Sequence, residues 1–102
     1  MTTPVKLSPA TVHYAITTEA HPGALPRVLE LFAQRNITPD LLRVSKYKQS
    51  GFIDASLSID IHVSGLSPAE QEVILHKLTV QISVQNVRQE VLYQKARVKL
   101  AS

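Results

Sequence analysis

Four histidines are the most chemically versatile side chains in this 102-residue sequence, which has no cysteine. The absence of cysteine excludes disulfides, thiolate zinc sites and cysteine nucleophiles. The histidines form no close pair with the spacing of metal ligands; they are His13, His21, His62 and His76. We therefore predict four ordinary surface or interface histidines, no metal site and no cofactor.

A carboxylate or a hydroxyl occupies every second position in the segment from Asp54 to Asp60. If this segment is a strand, these two aspartates lie on one face, roughly 20 Å apart at ~3.3 Å per residue, which is too far for a paired-carboxylate mechanism. Ser56 and Ser58 lie between them, and we identify no base beside either hydroxyl. Since no nucleophile, base and orienting group converge, the prediction is a binding or regulatory protein without a catalytic site of its own.

The most promising functional feature is the turn Ala20-His21-Pro22-Gly23, which precedes a helical pattern. Glycine permits a left-handed or closely approached backbone, and a helix N-terminus attracts a carboxylate or another anion. The alternative is a plain tight connection. From the local sequence alone that alternative comes first, because proline-glycine turns are common.

Hydrophobic periodicity indicates the elements on either side of this turn. Residues 11–18 alternate in the manner of a strand with one buried face, which includes Tyr14. A helix is predicted over residues 24–35 with Asn36 as its C-terminal cap, and its apolar stripe is Leu25, Val28, Leu29 and Phe32. Residues 41–48 follow as a second strand, and Gln49-Ser50-Gly51 is a turn.

The second half of the chain repeats this order. Strict alternation predicts a third strand with Ile53, Ala55, Leu57, Ile59, Ile61 and Val63 on one side. Ser67, Pro68 and Glu70 are typical of a helix start, and that helix should run to about Thr79 with Val73, Ile74 and Leu78 inside. Residues 83–92 read as a fourth strand with a bulge near Asn86.

This order predicts an α+β fold: a ferredoxin-like β-α-β-β-α-β sandwich with two helices on one face of a four-stranded antiparallel sheet. We expect a flexible leader over residues 1–10, one domain over 11–93 and a basic tail over 94–102. With no signal-peptide pattern and no apolar run of ~20 residues, a cytoplasmic location and no membrane contact are expected. The net charge of +3 is small for a nucleic-acid binder.

Other functions of this fold lack their signatures. An RNA-recognition module needs aromatic residues on its two central strands, and the whole chain has five aromatics. A metal chaperone of this shape needs a CxxC loop, and an acyl-phosphate hydrolase needs an arginine in its first loop.

Two segments resemble a known family. HPGALPRVLELFAQRNITPDLLRV, residues 21–44, is similar to the opening of an ACT domain, an amino-acid-sensing regulatory module. Within that group it most resembles the small regulatory subunit of acetolactate (acetohydroxyacid) synthase, in particular through GAL-x-RVL-x-LF from Gly23 to Phe32. LHKLTVQISV, residues 75–84, is a second match to that family.

The resemblance implies an effector site in the first loop and at the start of the first helix, at a dimer interface. Gly23, Ala24 and Leu25 match the family, and Ala20 and Thr38 stand where its valine-binding subunits have asparagines. His21, Thr38 and Asp40 are candidates to replace those amides. The predicted ligand-binding set is therefore Ala20, His21, Pro22, Gly23, Ala24, Leu25, Thr38 and Asp40.

Three functional hypotheses follow. The first is a homodimeric regulatory subunit that binds the thiamine-dependent acetolactate synthase catalytic subunit in branched-chain amino acid biosynthesis, together with an amino acid effector. The second is a stand-alone amino acid or small-molecule sensor. The third, ranked well below the others, is a nucleic-acid binder that uses Lys95, Arg97 and Lys99.

Overall fold

A computed structural model describes residues 11–92 of the chain. The predicted leader, the predicted basic tail and the last residue of the predicted domain lie outside the described residues. The elements are β1 (Thr11–Glu19), α1 (Ala24–Gln34), β2 (Leu41–Tyr47), β3 (Ser56–Ser64), α2 (Pro68–Thr79) and β4 (Val84–Leu92). The four strands form one sheet in the order β2-β3-β1-β4, and every neighbouring pair is antiparallel. The predicted ferredoxin-like fold is confirmed.

The core lies between the sheet and the two helices. Alternate residues of β1 and β3 point into it because successive side chains of a strand face opposite sides of the sheet. Tyr14 is fully buried there, as predicted, and its ring meets Phe32 of α1 edge-on. The central buried side chains are Val12, Tyr14, Ile16, Val28, Leu31, Phe32, Ile59, Ile61, Val63, Ile74 and Leu78.

The third strand is shorter than its sequence pattern predicted. It begins at Ser56, and the predicted inward-facing Ile53 is 86% exposed in the connection over residues 48–55. The reason lies in the neighbouring strand: β1 ends at Glu19, which is paired with Ser56, so earlier residues have no ladder to join. The turn within this connection is confirmed, since Phe52 N–H donates to Gln49 O and Gly51 has a φ of 88°.

The helix α1 ends at Gln34, one residue before the predicted end, and Asn36 lies just beyond the C-cap residue Arg35 at a φ of 60°. Asn36 N–H donates to Ala33 O at 3.0 Å, and Ile37 N–H donates to Phe32 O at 2.9 Å. This pair of bonds is a Schellman motif, which satisfies the last carbonyls of the helix. The buried stripe of α1 is shifted slightly from the prediction, with Leu31 buried and Leu25 and Leu29 half-buried against the core.

The helix α2 has the predicted start, and two of the three side chains predicted inside, Ile74 and Leu78, are fully buried. Ser67 Oγ accepts from Glu70 N–H at 3.2 Å, and Glu70 Oε1 accepts from Ser67 N–H at 3.1 Å, which completes a capping box. Val73, predicted inside, is 37% exposed, and Gln71 is buried in place of it. Two bonds fix this rotation: Tyr14 Oη donates to Gln71 O, and Gln71 Nε2 donates to Leu66 O.

The fourth strand contains the predicted irregularity. Thr17 is paired with Asn86 and Thr18 with Val84, so Gln85 is an extra residue on β4. One extra residue opposite a regular strand is a β-bulge. It is the reason that the apolar spacing from Val84 to Val87 departs from strict alternation.

Candidate effector site

The turn between β1 and α1 is held mainly by the His21 side chain and backbone. His21 N–H donates to Glu19 O at 3.1 Å, Ala24 N–H donates to His21 O at 3.0 Å, and Gly23 N–H donates to His21 Nδ1 at 3.1 Å. The imidazole is therefore folded back over the turn and accepts from the backbone. Nδ1 acts here as an acceptor, so this contact requires the tautomer with the proton on Nε2.

Gly23 acts by its small size and not by a left-handed backbone. Its φ is −84°, a value that any residue adopts. A Cβ at this position would lie 3.3 Å from Cε1 of His21, so a side chain would press on the imidazole. The sequence argument for a closely approached backbone applies here, and the neighbour that approaches is His21.

The start of α1 is suited to an anion. Gly23 is the N-cap, no side chain caps the helix, and its first turn contains no acidic residue. The N–H groups of Gly23 and Ala24 are already bonded to His21, and Pro26 has no N–H, so an anion would be attracted here by the positive end of the helix dipole. In contrast, α2 carries an acidic residue of its own, Glu70, in its first turn.

A hollow of about 220 Å³, here called the effector hollow, lies beside this turn on the helix side of the sheet. Its lining is Ala20, His21, Pro22, Lys46 and Leu57. Lys46 comes from β2 and is paired with Leu57 of β3, so the end of the β2–β3 ladder reaches the turn. The hollow therefore combines a lysine with the imidazole of His21.

Lys46 was missed by the sequence prediction. Its only signal is positional: β2 and β1 end at the same end of the sheet, on either side of β3, and Lys46 is the last but one residue of β2. That signal can be used only once the register of β2 on β3 is known.

The predicted ligand-binding residues divide into two groups. Ala20, His21 and Pro22 line the effector hollow, and Gly23 lies directly behind His21. Ala24 is 1% exposed, and Leu25 packs against the core, so neither side chain lines this hollow.

Thr38 and Asp40 lie at the opposite end of α1, an 11-residue helix about 16 Å long at ~1.5 Å per residue. Asp40 N–H donates to His62 O at 2.7 Å, and Asp40 Oδ2 accepts from Ser64 Oγ at 2.7 Å. Within one copy of the chain, the two groups of predicted residues do not meet.

The open face of the sheet holds a polar cluster that the sequence did not reveal. His13 and His62 are directly opposite on β1 and β3, and their ring centroids are 4.5 Å apart. His13 Nε2 lies 2.7 Å from Asp60 Oδ1, and His13 Nδ1 lies 3.8 Å from Glu90 Oε1. Across residues 11–92, no three metal-ligating side chains are arranged to hold an ion.

Helices within the described part of the chain are too short and too polar to cross a membrane. The longer of them, α2, has 12 residues.

Comparisons with known proteins place the chain in a family. The model of a family described as an ACT-like domain matches residues 6–96. A search of curated protein sequences finds no match. Neither the family match nor the structural match below points to acetolactate synthase.

Among solved structures, the chain is similar to the solution structure of the C-terminal domain of the MgtC protein from Mycobacterium tuberculosis. The TM-score is 0.56 at 18% identity, and the match covers 82% of this chain and 88% of that one. At this identity the likeness concerns the fold. ACT-like domains are a regulatory fold, and a regulatory role fits this architecture. Because the family match spans most of its length, the chain belongs to the ACT-like domain family.

Proposed function

We propose that this chain is a non-catalytic regulatory subunit that works as a homodimer and binds an amino acid where two copies meet. The observation that carries the proposal is the position of the effector hollow: it opens beside β2, which is an edge strand of the sheet formed by residues 11–92. Lys46 belongs to both features, since it lines the hollow and lies on the edge strand.

The edge strand supports pairing with a second copy. Leu42 and Val44 of β2 are 41% and 39% exposed, although they lie opposite the buried Ile61 and Ile59 of β3. They therefore face the helix layer without being covered by it. An exposed edge strand with apolar side chains is a template for a further strand, and a second β2 would supply one.

Antiparallel pairing of two β2 strands would bring together the residues that one copy keeps apart. In a register centred on Val44, Leu42 faces the partner's Lys46, and Lys48 faces the partner's Asp40. Lys46 then lies about 7–8 Å from the partner's Asp40 as a diagonal neighbour. The separation of Thr38 and Asp40 from the His21 turn within one copy is the arrangement that such a shared site requires.

The charges of this shared site suit a zwitterion. Lys46 and the positive end of the α1 dipole would attract a carboxylate. The partner's Asp40 would attract an ammonium group. With alanine at position 20 and threonine at position 38, these charged groups would replace the amide contacts of related subunits.

The first test is a thermal-shift screen of the full chain against the twenty amino acids. A ligand at 100 times its Kd adds about 2.7 kcal/mol, which raises Tm by roughly 11–20 °C in a domain of this size. Lys46→Gln should abolish the shift, because it removes the cation while keeping most of the side chain.

Lys77→Gln, a matched change on the exposed side of α2, should leave the shift intact. The absence of a shift with every amino acid would contradict the effector proposal and would leave a role exercised through protein contacts alone.

For the catalytic partner we propose the acetolactate synthase catalytic subunit, on the strength of the sequence similarity over residues 21–44 and 75–84. Co-purification of the two proteins and a changed turnover rate of the synthase are the expected results. Amino acid binding without any complex would instead favour a stand-alone sensor.

A further inference from the structure

A second hollow, of about 420 Å³, lies where the 48–55 connection curls over the end of the sheet. We call it the hairpin hollow; its lining includes Glu19, Gln49, Phe52, Ile53, Asp54 and Gln85. It shares no lining residue with the effector hollow. The two hollows lie on opposite faces of the sheet. By the alternation of β1, Glu19 is on the open face, whereas Lys46 and Leu57 are on the face towards the helices.

The walls of the hairpin hollow are acidic. Two carboxylates, from Glu19 and Asp54, line it together with two side-chain amides, and no lysine, arginine or histidine does. The ion pairs found within residues 11–92 involve neither carboxylate. In a chain of net charge +3, this hollow is a local site of negative charge, which favours a cation.

The rim of the hairpin hollow is apolar in a way that core packing does not explain. Phe52 is 62% exposed and Ile53 is 86% exposed, and neither belongs to the core cluster. An exposed aromatic face attracts organic cations through its ring electrons, and an adjacent aliphatic side chain can cover an alkyl group. An organic cation with a short apolar chain can therefore use both the walls and the rim.

We propose that the hairpin hollow binds a small organic cation, an ammonium or guanidinium group carried on a short apolar chain. Glu19 and Asp54 would hold the charged group, Phe52 and Ile53 would cover the chain, and Gln49 and Gln85 would accept its remaining hydrogen bonds. The volume lies at the lower end of the range for small-molecule pockets, ~300–1,000 Å³. This site is separate from the proposed effector site, and neither depends on the other.

The test is an NMR titration of the full chain with butylguanidine, in which the backbone amide chemical shifts are monitored. Changes should be confined to the 49–56 segment, Glu19 and Gln85. Asp54→Asn and Glu19→Gln should each raise Kd by about fivefold to tenfold, because each removes a charged hydrogen bond while preserving shape. Phe52→Leu should also weaken binding, since it removes the aromatic face.

Two controls separate this site from general charge attraction and from the effector site. Glu72→Gln, on the exposed side of α2, should leave Kd unchanged. Pentanoate, which carries the same butyl chain and the opposite charge, should not bind. Equal binding of pentanoate, unchanged affinity of both carboxylate variants, or shifts at Ala20–Gly23 in place of the hairpin hollow would each overturn the proposal.

Discussion

At the scale of single residues, Tyr14 links the sheet to α2 through one buried hydroxyl. Its Oη donates to Gln71 O at 3.1 Å, and burial raises the pKa of Tyr14 to about 12. Tyr14→Phe should lower the free energy of unfolding by about 1 kcal/mol at neutral pH, the net value of a typical hydrogen bond. Chemical denaturation of the two proteins measures this difference.

The raised pKa of Tyr14 also predicts a pH dependence. The folded state favours the neutral phenol, so its contribution is fully present below pH 10 and is lost as pH rises from 10 towards 12. The Phe variant lacks this ionisation, so its stability should fall less steeply over that window. Parallel loss of stability in both proteins from pH 10 to 12 would contradict the assignment.

Residue types were easier to predict than residue neighbours. Tyr14 was assigned to the core from alternation alone, and Asn36 to a helix end from its local preferences, and both positions are confirmed. The closeness of His13 to His62 depends on the β1–β3 register. The two histidines are 49 positions apart in the sequence, and that spacing does not indicate the register, so the sequence predicted two unrelated histidines.

At the scale of elements, the capping box determines how α2 begins. Hydrogen bonding to Ser67, chiefly to its backbone and to a smaller extent to its side chain, holds the pKa of Glu70 below its ordinary value of 4.5. Ser67→Ala should cost about 1 kcal/mol of stability, as is typical for loss of an N-cap. Ser67→Asn, which keeps a capping oxygen, should cost much less in the same denaturation experiment.

The lowered pKa of Glu70 gives the cap a signature at acid pH. The stabilisation by ionised Glu70 is present above pH 4.5 and is lost as pH falls through the lower pKa of the folded state. Glu70→Gln should flatten that part of the stability profile. An acid profile identical to that of the unmodified chain would mean that the carboxylate does not act in the cap.

Predicted elements differ from the observed ones where a neighbouring element decides. The pattern of Ile53 and Ala55 continues that of β3, but β1 has already ended, so the strand begins at Ser56. The sequence pattern places Val73 on the buried side of α2, whereas the hydrogen bonds of Gln71 rotate the helix so that Gln71 is buried instead. Local pattern predicts that an element exists, and tertiary contacts determine its limits and its rotation.

At the scale of the whole molecule, the sheet has two edges and the helices do not cover them equally. β4 packs against α2, whereas Leu42 and Val44 of β2 remain exposed on the helix side. Leu41 adds a further exposed apolar side chain on the open face, 39% exposed. Proteins often protect such an edge with charge, proline or a bulge; β2 has Arg43 and Lys46 but neither a proline nor a bulge. A second copy that pairs along β2 would remove the exposed edge and cover Leu42 and Val44 together.

This arrangement predicts how the mass of the particle depends on one side chain. In size-exclusion chromatography the full chain should elute as a dimer of about twice its 11.3 kDa mass, and the Val44→Lys variant should elute as a monomer. Val44 lies at the two-fold axis of the proposed pairing, so the variant would place two lysines opposite each other. Val73→Lys, an equally drastic change at an exposed apolar position of α2, should remain dimeric. If Val44→Lys is monomeric but still binds an amino acid with unchanged affinity, the shared site is wrong and the hollow of one copy is sufficient. If both losses occur together, the dimer and the effector site are one structure.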